Sequence, residues 1–157
     1  MEHPNRLEAL IDTHTNTLYR TALAILGNPS EAEDAVQDTF LRYLETRPQL
    51  RDSEHEKAWL LRVIINACRS RLRAAKRHPL TELLDSYPAR GPEESAVVEA
   101  VLALPPRERT AVHLFYYEGY STQEIAALTG QRPGTVRSHL SRARVRLRGI
   151  LEGENDE

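Results

Sequence analysis

The stretch at residues 121–148 reads STQEIAALTGQRPGTVRSHLSRARVRLR, and its pattern predicts a short helix, a tight turn and a longer helix. Ser121 and Glu124 have the spacing of a capping box, in which each side chain accepts a hydrogen bond from the other residue's backbone N–H. Gly130 can adopt the left-handed conformation that commonly ends a helix. Pro133 suits the first position of the next helix, because the N–H that proline lacks would have no partner there.

The second predicted helix is apolar along one stripe and basic elsewhere. Its apolar residues recur at helical spacing, which indicates one buried side: Val136, Leu140, Ala143 and Leu147. Polar and basic residues surround this stripe: Arg137, Ser138, Ser141, Arg142, Arg144, Arg146 and Arg148. A solvated surface helix could also be rich in arginine. The scaffold helix, the glycine turn and the basic second helix together favour a DNA-binding helix-turn-helix, whose second helix enters the major groove.

The composition is that of a globular protein whose charge is segregated along the chain. The 157 residues are 40% hydrophobic and 28% charged, with a formal net charge of -2. Acids dominate residues 31–56 and are absent from 57–77, and the C-terminal helix is basic. Local basic patches, rather than the net charge, therefore indicate where nucleic acid would dock.

Cysteine and histidine usage indicates no metal, cofactor or catalytic site. Cys68 is the single cysteine, so no intramolecular disulfide can form, and its apolar helical surroundings suit a core residue. The six histidines are scattered, and no nucleophile–base pairing or phosphate loop is present, so we do not expect an enzyme. The N-terminus lacks a signal-peptide pattern and no segment is long enough to span a membrane. We expect a cytoplasmic protein without membrane insertion.

Apolar spacing predicts helices almost throughout, and hence an all-α fold. In the front half we expect helices at about residues 6–26, 28–46 and 54–77. The second begins with a cap at Asn28 and has a predicted core stripe: Ala32, Ala35, Val36, Thr39, Phe40, Tyr43 and Leu44. Other side chains lie away from that stripe: Asp34, Gln37, Asp38, Leu41 and Arg42.

The third helix is apolar on two sides, which is typical of a central helix in a bundle. Ser53 and Glu56 predict a second capping box at its start. A narrow polar stripe remains on this helix: Arg62, Asn66, Arg69 and Arg73. These arginines could simply solvate the open side of the helix. An asparagine among arginines without a balancing acid favours a nucleic-acid surface instead.

The helical periodicity breaks between residues 78 and 94, which are rich in proline, serine and glycine and therefore predict an interdomain linker. We predict two small helical domains, a bundle at 1–77 and a helix-turn-helix domain at 95–152. Two further helices precede the helix-turn-helix within the second domain. Residues 153–157 are expected to form an acidic, frayed tail.

Both halves resemble one protein family. The segments NPSEAEDAVQDTFLRYLE at 28–45 and KAWLLRVIINACRSRLRAAKR at 57–77 resemble the second conserved region of bacterial sigma factors. Residues 104–148, which begin LPPRER and contain GTVRSHLSRAR, resemble their fourth region. Two such regions with a short linker resemble the extracytoplasmic-function class of the sigma-70-like family. The resemblance implies a transcription initiation factor that binds core RNA polymerase and directs it to promoter DNA.

The resemblance also implies a role for each surface of the front half. The acidic side of the second helix would bind core polymerase through Asp34, Gln37, Asp38, Phe40 and Leu41. The loop and the basic third helix would capture the melted minus-ten strand through Arg51, Ser53, His55, Lys57, Arg62, Asn66, Arg69 and Arg73. Melted bases are commonly bound beside a basic groove. An anti-sigma factor is a further partner that the resemblance suggests, since many relatives have one.

In the back half, the resemblance implies that the helix-turn-helix reads the upstream, minus-thirty-five element through Arg132, Thr135, Arg137, Ser138, Ser141, Arg142, Arg144 and Arg148. Arg137 is near the N-terminal end of the helix, and we expect it to contact a guanine edge. Arg144 and Arg148 should meet phosphates, which position the helix without specifying a base. His139 borders the apolar stripe, so we expect packing or a phosphate contact from it.

A different class of protein remains an alternative. The back half alone would also fit a dimeric helix-turn-helix regulator that binds duplex DNA without core polymerase. The front half argues against it, because the acidic helix and basic helix show none of the strand–helix alternation of a receiver domain. Run-off transcription with core polymerase separates the two hypotheses.

Overall fold

The computed structural model describes residues 4–74 and 92–155, which are helical and contain no strand. The helices are α1 (Pro4–Leu26), α2 (Pro29–Thr46), α3 (Ser53–Ala74), α4 (Pro92–Leu102), α5 (Pro106–Val112), α6 (Thr122–Thr129) and α7 (Pro133–Asn155), and a π-helical turn at His113–Tyr117 continues α5. The predicted all-α class is confirmed. The expected linker ends earlier than predicted, because its residues 92–94 already belong to α4. Residues 75–77 of the expected third helix, 78–91 of the linker and 156–157 of the expected tail lie outside the described ranges.

Helices α1, α2 and α3 form a bundle around one apolar core. Its central side chains are at most 1% exposed: Leu18, Ala22, Ala32, Ala35, Leu60, Leu61, Ile64 and Ile65. Removing this apolar surface from water is the main stabilising contribution to the bundle. Gly27 has a φ of 69° and follows the last residue of α1. The side chain of Asn28 accepts the N–H of Glu31 at 2.9 Å, so the predicted cap of α2 is formed.

Helices α4 to α7 form the second unit, and α6 with α7 makes the predicted helix-turn-helix. The capping box is complete, because Ser121 Oγ accepts the N–H of Glu124 at 3.1 Å and Glu124 Oε1 accepts the N–H of Ser121 at 2.9 Å. Gly130 has a φ of 70° at the turn. Three residues of the α7 stripe are at most 1% exposed: Val136, Leu140 and Ala143.

The two units pack against each other, α1 on α5 and α3 on α6. Arg109 in α5 is only 8% exposed and joins the units. Its Nε donates to the carbonyl of Ala24, its Nη2 donates to that of Ile25 at 3.1 Å, and its Nη1 donates to those of Leu102 and Leu104 at 3.2 and 3.3 Å. The last carbonyls of a helix have no intrahelical partner. One buried guanidinium therefore satisfies the end of α1 and the end of α4 together.

The start of α3 differs from the predicted capping box. Asp52, rather than Ser53, provides the cap, because its Oδ1 accepts the N–H of His55 at 2.8 Å. The carboxylate of Glu56 instead lies 2.8 Å from Nε2 of His14 in α1. The prediction of a box between Ser53 and Glu56 is wrong, because a partner on another helix takes the glutamate.

Two further expectations require correction. Leu44 was expected in the core stripe of α2 but is 39% exposed, because it lies at the edge of a groove between α1 and α2. Helix α7 continues to Asn155, beyond the predicted end of the domain at residue 152. No proline occurs after Pro133 to interrupt the helix, so its backbone hydrogen bonding can run on into the acidic residues.

Candidate nucleic-acid and partner interfaces

Helix α7 presents its predicted DNA-contacting side chains to solvent, while its apolar stripe faces α5 and α6. All eight of these residues are exposed: Arg132, Thr135, Arg137, Ser138, Ser141, Arg142, Arg144 and Arg148. The scaffold helix α6 lies behind α7, so the exposed side is the one that could enter a major groove. Arg137 lies one turn from the start of α7, where a guanidinium can reach a base edge.

Two arginines of α7 already have partners within the domain. Arg144 Nε donates to the hydroxyl of Tyr116 at 2.7 Å, and its guanidinium lies 5.8 Å from the centre of that ring. Arg146 Nε lies 2.9 Å from a carboxylate oxygen of the buried Glu108. Arg144 is therefore oriented by Tyr116 at the edge of the exposed side. Arg146 instead compensates a buried charge.

The polar stripe of α3 is only partly open. Arg62, Asn66 and Arg73 are exposed, but Arg69 is half-buried against α6 and donates from Nη1 to the carbonyl of Thr129. Burial, with the neighbouring charges of Arg107 and Arg73, lowers the pKa of Arg69. The helix-turn-helix domain thus covers the middle of the surface that the sequence predicts for the melted strand.

The loop before α3 and the first turn of that helix are also partly exposed and partly covered by the second unit. Arg51 and Ser53 are exposed, and the backbone N–H of Arg51 donates to Nδ1 of His55 at 3.1 Å. The ammonium of Lys57 instead lies 5.4 Å from the ring centre of Tyr120 in the second unit. Lys57 and Arg69 of the predicted minus-ten surface therefore both contact the second unit.

The acidic side of α2 is exposed at each of its predicted polar residues: Asp34, Gln37 and Asp38. Asp38 Oδ2 accepts a hydrogen bond from Arg71 Nη2 of α3 at 2.6 Å, on the protein surface. Leu41 is 55% exposed and Phe40 is half-buried. Acidic and apolar side chains therefore share one surface, a combination suited to a basic, apolar protein partner.

An apolar groove of about 690 Å³ between α1 and α2 borders this acidic side. Its apolar lining comes from both helices: Leu7, Ile11, Tyr19, Val36, Phe40, Leu41 and Leu44. Of these residues, the sequence assigned only Phe40 and Leu41 to a partner-binding surface. The contribution of α1 could not be found from periodicity, because the spacing within one helix does not show which helix lies beside it.

A partly buried ionic cluster at the contact between the units has no signal in the sequence. The carboxylate of Glu118, after α5, lies 3.0 Å from Nε2 of His113 and 3.5 Å from Nη2 of Arg20 in α1. His113 Nε2 is also 3.4 Å from the hydroxyl of Thr21. Burial acts to raise the pKa of Glu118, but hydrogen bonds and charges from His113 and Arg20 outweigh it and lower that pKa.

Within residues 4–74 and 92–155, no group of three histidine, cysteine, aspartate or glutamate side chains is arranged to hold a metal ion. Among the helices of those ranges, none combines the length and the apolar character needed to cross a bilayer.

Comparison with protein families gives two matches in the same order along the chain. Residues 10–78 match the family model described as Sigma-70 region 2. Residues 94–147 match the model described as Sigma-70, region 4. The first match includes the acidic side of α2 and the basic stripe of α3, and the second includes the helix-turn-helix.

Individual relatives agree with these matches. The chain is 36% identical over 149 residues to a protein named ECF RNA polymerase sigma factor SigM from Mycobacterium tuberculosis, covering 92% of this chain and 76% of that one. It is 33% identical to RNA polymerase sigma-E factor of Streptomyces antibioticus, covering 92% and 84% of the two chains. A similar fold occurs in the complex of the sigma factor RpoE with the anti-sigma factor NepR from Bartonella quintana, with a TM-score of 0.71, 24% identity and coverage of 92% and 96%.

Proposed function

This chain belongs to the extracytoplasmic-function class of the sigma-70 family and is a transcription initiation factor, and we propose that three of its surfaces divide the work of initiation. The acidic side of α2 and its apolar groove bind core RNA polymerase. The loop before α3 and the polar stripe of α3 hold the melted minus-ten strand. The exposed side of α7 reads the duplex minus-thirty-five element. The protein acts by binding rather than by catalysis, and it acts in the cytoplasm, where promoter DNA is found.

The observation that carries the proposal is the exposed basic side of α7, held on a capped scaffold helix. Eight residues with hydroxyl or guanidinium groups face solvent there, while Val136, Leu140 and Ala143 fix the rotation of the helix about its axis. A recognition helix needs this combination of a fixed rotation and an accessible polar side.

Two contacts between the units involve residues that are proposed to bind the melted minus-ten strand. Arg69 donates to the carbonyl of Thr129, so α6 covers the part of α3 where the melted strand would lie. Lys57 is likewise held over the ring of Tyr120. We therefore propose that the helix-turn-helix domain moves away from α3 before the melted strand binds.

Run-off transcription tests the function directly. Core polymerase should transcribe from specific sites in a library of random upstream sequences only when this protein is added. The selected sequences should contain two separated conserved blocks, one for each unit. Specific duplex binding by the protein alone, without stimulation of core polymerase, would instead support the dimeric regulator.

An anti-sigma factor is a further partner in the proposal. The support is that the fold resembles that of a sigma factor solved with an anti-sigma factor. Co-purification of the tagged full chain from its own host, followed by mass spectrometry, tests this. A second protein that blocks run-off transcription when added back would identify it.

A further inference from the structure

A cavity of about 890 Å³ lies between the two units, at the meeting of α3, α5, α6 and α7. Four arginines from three helices line it: Arg69 and Arg73 of α3, Arg107 of α5 and Arg142 of α7. Among the described lining residues the only acid is Glu108, and its carboxylate is already paired with Arg146 at 2.9 Å. The described wall of the cavity therefore carries a clear excess of positive charge.

His139 gives a second, independent indication of a ligand at this place. It lines the cavity, is only 7% exposed, and its Nε2 has no hydrogen-bond partner within the described parts of the chain. Burial, together with the charges of Arg142 and Arg107, lowers the pKa of its imidazole. A buried polar atom without a partner is unfavourable in a folded protein. An acceptor oxygen at the cavity wall would provide that partner.

We propose that this cavity binds a small, multiply charged phosphate compound, of the class of inorganic pyrophosphate or a nucleoside di- or triphosphate. Guanidinium groups bind phosphate oxygens through paired, charge-assisted hydrogen bonds. The cavity volume falls within the usual range for small-molecule sites. A DNA backbone is a different source of the same phosphate chemistry. It fits less well, because a duplex is wider than a cavity of about 890 Å³ and could bring only its backbone to the rim.

A ligand in this cavity would bridge the two units. Arg69 and Arg73 belong to the front bundle, whereas Arg107 and Arg142 belong to the helix-turn-helix domain. A ligand that contacts both units only when they are packed together stabilises that packed state. Resting on the proposed function, this means that the phosphate compound would reduce promoter binding by holding α6 against α3.

Isothermal titration of inorganic pyrophosphate into the full chain tests the binding. The parent should bind saturably with one ligand per chain at constant ionic strength set with sodium chloride. Arg107 is exposed and lies outside the predicted DNA contacts, so Arg107→Ser should fold normally and weaken binding about tenfold or more. Arg107→Lys should recover part of that loss. Arg42→Ser, which removes an exposed arginine of α2 far from the cavity, is the matched control and should bind like the parent.

Two results would overturn the inference. One is the absence of saturable binding by the parent; the other is an equal loss for Arg107→Ser and Arg42→Ser, which would indicate general charge attraction. A parallel titration with a duplex oligonucleotide separates the two phosphate sources. Arg107→Ser should leave duplex binding within about twofold, and an equal loss for both ligands would assign the arginines to a DNA backbone.

The test is independent of the transcription assay. If the chain did not bind pyrophosphate, the cavity site would be contradicted, while the result of run-off transcription would still stand. Conversely, a chain that binds pyrophosphate but never stimulates core polymerase would contradict the proposed function and keep the cavity site.

Discussion

Single residues of α7 differ in what they can do because they differ in what lies next to them. Arg137 is exposed near the start of the helix, whereas Arg144 is held by the hydroxyl of Tyr116 and Arg146 by the carboxylate of Glu108. A guanidinium that reaches a groove can bind both acceptors of a guanine. One that is tied to its own domain contributes mainly charge. The same residue type therefore has three different surroundings within ten positions.

Arg137→Ala should relax the preference at one base pair of the upstream element. Loss of a paired contact to guanine removes about 1–3 kcal/mol of discrimination against other bases. Sequencing a promoter library selected with the variant holoenzyme measures the change. Arg148→Ala is the matched comparison, and it should weaken all sequences alike and reduce the salt slope by about one unit. An unchanged base preference in Arg137→Ala would contradict the assignment of this side of α7.

Asp38→Lys should weaken binding to core polymerase while leaving the fold intact. The variant reverses a charge on the exposed acidic side of α2 and places a cation near Arg71. The Asp38–Arg71 pair is at the surface, where such pairs contribute about 0–1 kcal/mol, so the melting temperature should change little. A pull-down with core polymerase measures the affinity. Glu99→Lys, an exposed acid of α4, is the control, and an affinity equal to that of the control would count against this surface.

At the scale of whole elements, the starts of α2 and α6 are set by side chains within four residues of them. The capping box of Ser121 and Glu124 begins α6, and Gly130 ends it with a positive φ. Because α6 supports α7 from behind, the stability of this short helix determines how firmly the recognition helix is held. Hydrogen bonds from Ser121 lower the pKa of Glu124. Their contribution is therefore present above the unfolded-state pKa and is lost as the pH falls through the lower folded-state value.

Ser121→Ala should destabilise the protein by about 1 kcal/mol, the usual effect of removing a serine cap. Thermal or urea denaturation measured at neutral pH gives the difference. Ser70→Ala removes an exposed serine near the C-terminal end of α3 and should leave stability nearly unchanged, since alanine is the better helix former. If both variants had the same free energy of unfolding as the parent, the capping box would contribute nothing to the start of α6.

For the molecule as a whole, the decisive feature is the packing of the two units. Arg109 binds carbonyls at the end of α1, and Glu118 lies between His113 and Arg20. These contacts place Lys57 and Arg69 against the helix-turn-helix domain. A packed chain with a net charge of -2 and partly covered basic surfaces should bind free duplex weakly, with a steep dependence on salt.

Glu118→Lys should separate the units and increase binding of a single-stranded minus-ten oligonucleotide several-fold. The new cation would lie close to Arg20 and His113, both of which now contact the carboxylate. Small-angle scattering should show a larger radius of gyration, and fluorescence anisotropy measures the oligonucleotide affinity. Glu45→Lys, an exposed substitution in α2, controls for the added charge. A variant as compact as the parent that bound no better would show that this cluster does not hold the units together.

In the parent, the Glu118 cluster should also make the packing depend on pH. The folded-state pKa of this carboxyl is lowered by His113 and Arg20 in spite of burial. Its stabilising contribution is therefore complete above the unfolded-state pKa and is lost as the pH falls through the folded value. Scattering measured across the acidic range should show the units separating in the parent.

The sequence by itself determined the helices, the caps of α2 and α6 and the exposed side of α7. Asn28, Ser121, Gly130 and Pro133 act on atoms within a few positions of themselves, so their spacing is sufficient to predict the result. The same local logic predicted the buried stripe of α7, because helical periodicity alone fixes which side chains share one face.

Only the tertiary structure decided what the polar side chains meet. Arg109 and Ala24 are 85 positions apart, Arg69 and Thr129 are 60 apart, and Arg20 and Glu118 are 98 apart. The same long-range packing pairs Glu56 with His14 instead of the predicted capping box, and it encloses the arginine-lined cavity. The physical reason is that periodicity records which side of a helix is buried, whereas the identity of the buried partner depends on how distant helices pack in three dimensions.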